Sequence, residues 1–263
     1  MIQSDVTAQY AHVGDPVWLR AHGLFVAEGR LVVRRLIEAG RYELVSVVVT
    51  PAASESLSDV RARVRCPVHV VERAALASLT GFDFHRGCLG IAKRPGVEPP
   101  LEAFAGARRL MALESVANPD NVGGLFRVAA AFAAGGVLLD RASGDPFYRK
   151  AIRTSMGATL DLPFTRLESW TSDLGLLRCR GFQIAALTPD RAASSLAAYA
   201  ATVDRNRPLV LLLGAEGSGL TPQALSTADV RVRIPIAAGV DSLNVVVAAG
   251  IALAALSGRM GEL

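Results

Sequence analysis

Short apolar runs alternate with stretches of helical periodicity in the second part of the chain. Four runs are apolar apart from Gln183 in one of them, as expected of strands that a parallel sheet buries on both faces. These runs are residues 110–113, 137–139, 182–187 and 209–213. Apolar positions recur with helical spacing over residues 122–134, 148–158, 192–203 and 243–256. The alternation predicts an α/β fold with a mostly parallel sheet flanked by helices.

The first part of the chain predicts a smaller α/β domain. Helical spacing over residues 25–38 precedes a β-branched run at 44–49 and short strands at 68–71 and 89–92. Residues 93–109 contain three prolines and little periodicity, which is typical of a linker. We therefore expect a domain over residues 1–95, a linker over 96–108 and a second domain over 109–263.

The composition indicates a globular protein and permits a nucleic-acid partner. Of the 263 residues, 51% are hydrophobic and 20% are charged, which is too apolar for a disordered chain. All basic residues except Lys93 and Lys150 are arginines, and the net charge is +4. The planar donor fork of arginine suits phosphate, although the codon bias of a GC-rich genome gives the same excess. Nucleic-acid binding is therefore allowed and not demonstrated.

Neither the cysteines nor the apolar segments indicate a disulfide framework, a metal site or a membrane span. Cys66, Cys88 and Cys179 form no CxxC pair. The first thirty residues contain no continuous apolar stretch, and the apolar run at 245–256 is shorter than the roughly 20 residues that a bilayer requires. We expect a cytoplasmic protein without a membrane or metal partner.

The first of three motifs follows the strand that ends near Glu114 and reads Asn118-Pro-Asp-Asn121-Val-Gly-Gly-Leu-Phe-Arg127. A glycine-rich turn from a strand into a helix exposes backbone N–H groups, which suit an anion. A simple capped turn explains the same residues. Arg127, one to two turns inside the helix, favours the functional interpretation.

The second motif closes the run at 209–213 and reads Leu213-Gly-Ala-Glu216-Gly-Ser-Gly219-Leu220. Gly214 would let a flat ligand approach the backbone closely. The motif is not GxGxxG, because Glu216 interrupts that pattern and a carboxylate would repel a pyrophosphate.

The third motif reads Ile234-Pro-Ile-Ala-Ala-Gly239-Val-Asp-Ser242-Leu-Asn244 and precedes a fully apolar helix. Ser242 is a candidate N-cap of that helix. A cap does not explain the Ile234-Pro235 pair, nor a polar Asn244 at the head of a helix that should be buried.

In this order the three motifs resemble the signature motifs of SpoU-type (TrmH-family) RNA ribose 2′-O-methyltransferases of the SPOUT class, over residues 108–258. The resemblance implies a Rossmann-like parallel sheet with a trefoil knot, S-adenosylmethionine as cofactor, and a homodimer. Periodicity alone would not predict a knot. The chain departs from the family at Gly124, where Ala is frequent, at Ile236, where Met is common, and at Val246, where Ser is common.

The resemblance also implies roles for individual residues. Arg127 would hold the RNA phosphate and help to activate the ribose hydroxyl. The residues implied at the catalytic centre are Arg127, Asn121, Glu216, Ser242 and Asn244. The residues implied to bind the cofactor are Leu187, Thr188, Gly214, Ile234, Ile236, Ser242 and Leu243.

The N-terminal domain resembles the substrate-binding domain that precedes many SpoU catalytic domains, with a fold like a small ribosomal RNA-binding protein. The resemblance rests on Leu24-Phe-Val-Ala-Glu28-Gly29 and Arg86-Gly-Cys-Leu-Gly90-Ile-Ala. It favours ribosomal RNA over transfer RNA as the substrate. The candidate RNA contacts are Arg20, Arg86, Arg149, Lys150 and Arg153, although the last three could equally form a solvated helix face.

Three alternatives stay open at this point. The enzyme could methylate transfer RNA instead, or the chain could be a catalytically silent RNA-binding relative. A nicotinamide-dependent Rossmann oxidoreductase is disfavoured, because no GxGxxG with a downstream ribose-binding acid is present.

Overall fold

The computed structural model describes residues 10–80 and 87–257, and it divides the chain into two compact units. Unit 1 comprises the chain up to Val97 together with Pro146–Asp161. Unit 2 comprises Glu98–Asp145 together with the chain from Leu162 onward. Each unit has its own sheet.

Unit 1 contains a four-stranded mixed sheet in the order β1-β4-β2-β3. Strand β4 pairs antiparallel with β1 and with β2, and β3 pairs parallel with β2. The strands are β1 (Leu24–Glu28), β2 (Leu44–Val49), β3 (Val68–Val70) and β4 (Cys88–Lys93). The helical segments are Pro16–Ala21, Arg30–Ala39, Pro51–Ser56, Ser58–Arg63 (a 3₁₀ helix), Arg73–Thr80, Arg149–Thr154 and Ala158–Asp161.

Two predicted helices of this unit are wrong in part, and a left-handed backbone residue explains each. The stretch 25–38 is a strand followed by a helix, because Gly29 (φ 95°) turns the chain between Glu28 and Arg30. The stretch 148–158 is two short helices, because Met156 and Gly157 have φ of 55° and 86° and end the first one. Helical spacing in sequence does not reveal such a reversal.

Unit 2 contains a seven-stranded sheet in the order β7-β6-β5-β10-β8-β11-β9, and every pair in it is parallel. The strands are β5 (Arg109–Glu114), β6 (Val137–Leu139), β7 (Phe164–Arg166), β8 (Gln183–Leu187), β9 (Ser194–Ser195), β10 (Leu209–Gly214) and β11 (Val230–Arg233). The helical segments are Leu101–Phe104 (a 3₁₀ turn), Pro119–Ala131, Trp170–Cys179, Leu196–Thr202, Pro222–Thr227 and Val245–Ser257.

The predicted α/β class with a parallel sheet is thereby confirmed, and the knot stays a prediction. The four apolar runs all form strands, and the sheet buries them on both faces as their composition predicted. Strands β7, β9 and β11 escaped prediction, because they have only two to four residues, lie toward the edges of the sheet, and are at least half polar.

Parallel pairing places the carboxyl ends of all seven strands at one edge of the sheet. Strands β5, β10, β8 and β11 are consecutive neighbours there, and Gly214 at the end of β10 pairs with Glu114 at the end of β5. The first motif follows β5, the second follows β10 and the third follows β11. The sheet therefore brings three motifs that are far apart in sequence to one edge.

Part of the segment expected to be a linker is folded into unit 2. Leu101–Phe104 forms the 3₁₀ turn, and the Phe104 side chain is 2% exposed within a hydrophobic core of unit 2. A Cβ on Gly136 would overlap the Phe104 ring, so the two residues pack tightly. The sequence did not predict Phe104 as a core residue, because the three nearby prolines leave no clear hydrophobic periodicity around it.

Among the described residues, no helix is long and apolar enough to cross a membrane.

Two departures from the family pattern pack against each other. Gly124 lies on the helix Pro119–Ala131, and a Cβ at that position would lie 2.7 Å from Cγ2 of Val246 on the helix Val245–Ser257. Such a distance is well inside van der Waals contact, so the larger Val246 side chain occupies the space that an alanine at 124 would need. The two positions therefore compensate in size.

We expect Gly124→Ala to destabilise the protein by about 1–3 kcal/mol through overpacking, even though alanine is intrinsically the better helix former. Gly124→Ala combined with Val246→Ala should recover most of the loss, so a double-mutant cycle measured by urea denaturation should show a coupling energy. Gly175→Ala is the control, because Gly175 lies in a helix with nothing within 4 Å of its built Cβ. It should leave stability unchanged or raise it. Additive effects of the two substitutions would contradict the packing argument.

Candidate active site

A cavity of about 840 Å³ lies at the carboxyl edge of the unit 2 sheet. Its walls come from the ends of β8, β10 and β11 and from the second and third motifs. All seven residues predicted to bind the cofactor line it, namely Leu187, Thr188, Gly214, Ile234, Ile236, Ser242 and Leu243. Their convergence follows from parallel strand pairing, since the strands that carry them end side by side.

The cavity combines apolar and polar wall residues with charged groups of both signs. Carboxylates come from Glu216 and Asp241, and guanidinium groups come from Arg191 and Arg233. The Arg233 Nε donates to the carbonyl of Ala193 at 3.2 Å, so this side chain is tied to the neighbouring loop. Such a mixture suits a ligand that has an apolar ring and ionic groups.

The second motif forms a compact turn, and its glycines are required by the backbone. Gly217 and Gly219 have φ of 87° and 69°, a region that other residues rarely adopt. The N–H of Gly219 donates to the carbonyl of Ala215 at 3.0 Å, which folds the turn back on its own strand. A Cβ on Gly214 would overlap the backbone of Gly219 and Leu220. The packing of this turn therefore already requires glycine at position 214, whether or not a ligand approaches the backbone there.

A buried carboxylate that sequence reasoning did not select holds the far end of the same turn. Glu114, at the end of β5, is 5% exposed. Its oxygens accept hydrogen bonds from the backbone N–H and from the hydroxyl of Thr221, both at 2.8 Å. Thr221 also caps the helix Pro222–Thr227, since its Oγ1 accepts from the N–H of Ala224 at 3.2 Å. In the sequence, the signal for this role was an acidic residue at the end of an otherwise apolar run.

The Asn244 side chain joins the three motifs. Its Nδ2 donates to Oδ1 of Asn121 at 3.1 Å and to Oε1 of Glu216 at 2.7 Å. Its Oδ1 accepts from the backbone N–H of Val246 at 2.9 Å and so caps the terminal helix. Asn121 is 6% exposed, which makes its carbonyl a buried acceptor that needs this donor. The predicted N-cap Ser242 is not the residue that caps the helix.

Arg127 lies apart from this cluster. It is exposed, it does not line the cavity, and it makes no hydrogen bond or ion pair with any residue in the described ranges. An α-helix rises 1.5 Å per residue, so Arg127 lies about 9 Å along the helix axis from Asn121. Asn118 caps this helix by accepting from the N–H of Asp120 at 2.9 Å. The structure thus brings together four of the five residues predicted at the catalytic centre.

The loop between β5 and the first motif is braced by a polar network that sequence analysis also missed. Ser115 has a φ of 58°, and its hydroxyl donates to Oδ2 of Asp140 at 3.1 Å. The other Asp140 oxygen accepts from the N–H and the hydroxyl of Ser143 at 2.8 and 2.6 Å. Arg166 donates to the carbonyls of Asp140, Ser143 and Gly144. These bonds fix the backbone that leads into the first motif.

The candidate RNA contacts of unit 1 divide into three groups. Arg20 is exposed on the helix Pro16–Ala21, and Arg86 lies outside the described residues. Lys150 is half-buried. Arg149 donates to Oε2 of Glu28 at 2.7 Å, and Nη1 of Arg153 lies 3.6 Å from Oε1 of the same carboxylate. Both arginines therefore have a structural role as partners of a buried acid, in addition to any contact with RNA.

Comparison with known proteins gives consistent matches. The chain matches the model of the SpoU rRNA Methylase family over residues 108–254. It is 39% identical over 229 residues to an uncharacterized tRNA/rRNA methyltransferase of Mycobacterium bovis, covering 87% of this chain and 79% of that protein. The match confirms the resemblance that the three motifs carried.

Solved structures match both units. The AdoMet-bound rRNA methyltransferase of Sinorhizobium meliloti superposes with a TM-score of 0.81 at 26% identity, covering 100% of this chain and 97% of that one. The SpoU methyltransferase AviRb of Streptomyces viridochromogenes, in complex with AdoMet, has a TM-score of 0.80 at 18% identity and covers 100% of each chain, a likeness of fold alone. S-adenosylmethionine is the cofactor expected from these relatives.

The cavity fits such a cofactor. Its volume lies in the range of roughly 300–1,000 Å³ that small-molecule sites occupy, and Leu187, Ile234 and Leu243 give it apolar surface for an adenine ring. The carboxylates of Glu216 and Asp241 suit a ligand that carries positive charge. No group of three or more His, Cys, Asp or Glu that could hold a metal ion occurs in residues 10–80 and 87–257.

We expect Asn244→Asp to weaken cofactor binding by about tenfold or more while leaving the protein folded. The substitution keeps an oxygen that caps the helix and removes the donor to Asn121 and Glu216, and a hydrogen bond to a charged group contributes about 1.5–3 kcal/mol. Isothermal titration with S-adenosylmethionine measures the affinity, and thermal unfolding reports the fold. Asn206→Asp, at an exposed turn, is the matched control. Native affinity in Asn244→Asp would show that the link between the motifs does not shape the cavity.

Proposed function

This chain belongs to the SpoU rRNA Methylase family, and we propose that within this family it methylates a ribose 2′-hydroxyl of ribosomal RNA. Membership makes it an RNA methyltransferase and removes the basis for a nicotinamide-dependent oxidoreductase. The observation that carries the proposal is the cluster in which Asn244 joins Asn121 to Glu216 beside the cavity. Cytoplasmic location, like the choice of ribosomal RNA, is part of the proposal.

The cofactor, when bound, supplies an electrophilic methyl group on a sulfonium, so the chain contributes orientation and electrostatics. Leu187, Ile234 and Leu243 would hold the adenine and methionine parts from the cavity wall. Asn121, Glu216 and Asn244 would orient the ribose hydroxyl, with Glu216 near enough to this polar cluster to take part in moving the proton of that hydroxyl. Alignment of the nucleophile with the methyl group would supply most of the rate enhancement.

Arg127 is proposed to bind the phosphate next to the target ribose. Its guanidinium has no ion-pair partner in the described part of the chain and is exposed, so a phosphate can reach it without displacing a bond. The donor fork of arginine matches two phosphate oxygens at once. Its position about 9 Å along the helix from Asn121 leaves room for a nucleotide between them.

Ribosomal RNA is favoured over transfer RNA by the whole-chain likeness to an rRNA methyltransferase, which extends over both units. The resemblance of the N-terminal domain to a ribosomal RNA-binding protein points the same way. The tRNA/rRNA name of the Mycobacterium bovis relative does not distinguish the two substrates.

Methyl transfer from labelled S-adenosylmethionine to unmodified cellular RNA tests the reaction. We expect label in the ribosomal fraction that survives digestion as a 2′-O-methyl nucleotide. Arg127→Ala should reduce the transfer by about 100-fold or more, as expected when a group that binds transition-state charge is removed. Arg205→Ala is the control, because Arg205 is exposed and precedes the amino end of β10, at the opposite edge of the sheet.

Four outcomes would change the proposal. Label only in transfer RNA would keep the reaction and overturn the substrate. Methyl groups on a base rather than on ribose would overturn the 2′-hydroxyl assignment. Full activity of Arg127→Ala would remove Arg127 from the reaction, and cofactor binding without transfer to any RNA fraction would support the silent relative.

We further propose that the chain forms a homodimer through the helix Val245–Ser257. Val247 and Ile251 lie four residues apart, on one face of that helix, and are 51% and 41% exposed. The helix has no charged residue, so this face gains more from contact with a second copy than from water.

Light scattering during size exclusion should give the mass of two chains. Val247→Lys combined with Ile251→Lys should give the mass of one, because two buried ammonium groups would oppose association. Leu176→Lys, a matched change on the helix Trp170–Cys179 at a residue 49% exposed, should stay dimeric. A monomeric native protein, or a dimer in the double variant, would contradict the proposal.

A further inference from the structure

Three aromatic rings stack on the surface of unit 1. The ring centroids of His12 and Trp18 are 4.4 Å apart with an angle of 14° between the rings, and those of Trp18 and His22 are 3.9 Å apart with an angle of 21°. Two imidazoles at these distances would overlap if they shared one face of the indole, so they lie on opposite faces. We call His12, Trp18 and His22 the aromatic stack.

Local hydrogen bonds hold the stack in place. The Asp15 carboxylate accepts from the backbone N–H groups of Val17 and Trp18 at 2.9 and 3.0 Å and so caps the short helix. His22 Nδ1 lies 2.8 Å from the carbonyl oxygen of Trp18. Because a carbonyl can only accept, Nδ1 carries the hydrogen, which fixes the tautomer of the neutral ring and its orientation. The rings are therefore ordered before any ligand arrives, which lowers the entropic cost of binding.

The stack is open at its His22 end, and two arginines are near it in the sequence or in backbone pairing. His22 is exposed, whereas His12 is half-buried and Trp18 packs in part against the core of the unit. Arg20 is exposed on the same helix. Arg94 is held beside the residues that follow His22, since its backbone N–H and its Nε donate to the carbonyls of Gly23 and Leu24 and its guanidinium lies 5.2 Å from the centroid of the Phe147 ring. The Asp15 carboxylate is occupied by the helix N–H groups.

We propose that the exposed face of His22 is a stacking surface for an unpaired base of the RNA substrate, with the exposed Arg20 as the candidate contact for a neighbouring phosphate. The inference rests on the proposed function for its RNA partner. Any base can stack on an aromatic face, and bases are free to do so only in single strands, loops and bulges. The exposed imidazole face of His22 offers the aromatic contact that such segments use. Unit 1 thereby recognises unpaired RNA.

The test measures the binding of a fluorescein-labelled 12-nucleotide oligoadenylate to the full chain by anisotropy. His22→Ala should weaken binding by about fivefold or more, because stacking on an aromatic side chain contributes about 1–3 kcal/mol per base. His22→Phe keeps a ring and should bind within about twofold of the native protein. Leu31→Ala, at a residue of unit 1 that is 65% exposed, is the control and should bind normally. Binding of a 12-base-pair RNA duplex should not respond to any of the three.

A second readout reports on the stack directly. The chain has two tryptophans, so Trp170→Phe leaves the emission of Trp18 alone. The oligoadenylate should change the Trp18 emission in the Trp170→Phe protein, which keeps His22. It should change that emission much less when His22→Ala is added. Arg20→Ala should instead reduce the salt dependence of binding by about one phosphate contact.

Equal affinity of His22→Ala and native protein would overturn the inference, as would His22→Phe binding as weakly as His22→Ala. Both measurements are made without S-adenosylmethionine, so they are independent of methyl transfer. Binding that depends on His22 in a protein that methylates no RNA would support this surface and contradict the proposed function. Normal methylation together with RNA binding that His22→Ala does not weaken would contradict this surface and support the proposed function.

Discussion

The site depends on the parallel pairing of four neighbouring strands. Because β5, β10, β8 and β11 run in one direction, the segments that follow them leave the sheet at the same edge. Residues separated by more than a hundred positions, such as Asn121 and Asn244, then come within hydrogen-bond distance. A change of direction in any of these strands would carry its motif to the opposite edge. The side chains of the cavity can therefore act together only because these strands run in the same direction.

Within that edge, polar side chains determine the precise positions of the loops. Glu114 holds the end of one loop through Thr221, and Asn244 joins two others. Glu114 and Asn121 are buried and have their partners, as the cost of an unsatisfied polar atom requires. The loops that surround the cavity contain several left-handed residues, so hydrogen bonds rather than regular secondary structure fix their shape. Arg127 differs from these residues, because nothing in the described chain holds its guanidinium.

Sequence patterns predicted the central strands well, because a short, continuous apolar run is typical of a strand that a parallel sheet buries on both faces. They failed where a single backbone residue reverses the chain, as at Gly29, and where prolines conceal a core residue, as at Phe104. Motif resemblance selected the residues that line the cavity, but it did not select Glu114, whose role appears only when Thr221 lies beside it. A role that depends on two side chains lying together can be recognised only from the three-dimensional structure. The compensating sizes of Gly124 and Val246 are a second example, since each looks like an isolated departure in sequence.

The segment Pro146–Asp161 belongs to unit 1 although residues of unit 2 precede and follow it. The chain therefore passes between the units three times, and unit 1 is discontinuous in sequence. Glu28 at the end of β1 forms an ion pair with Arg149 of the segment Pro146–Asp161. The stretch of unit 1 up to Val97 would therefore lack this contact on its own. Exchange of an N-terminal domain by a single recombination event would separate these partners. The two units are consequently expected to have evolved as a linked pair, with the inserted segment changing in step with a sheet strand more than a hundred residues away.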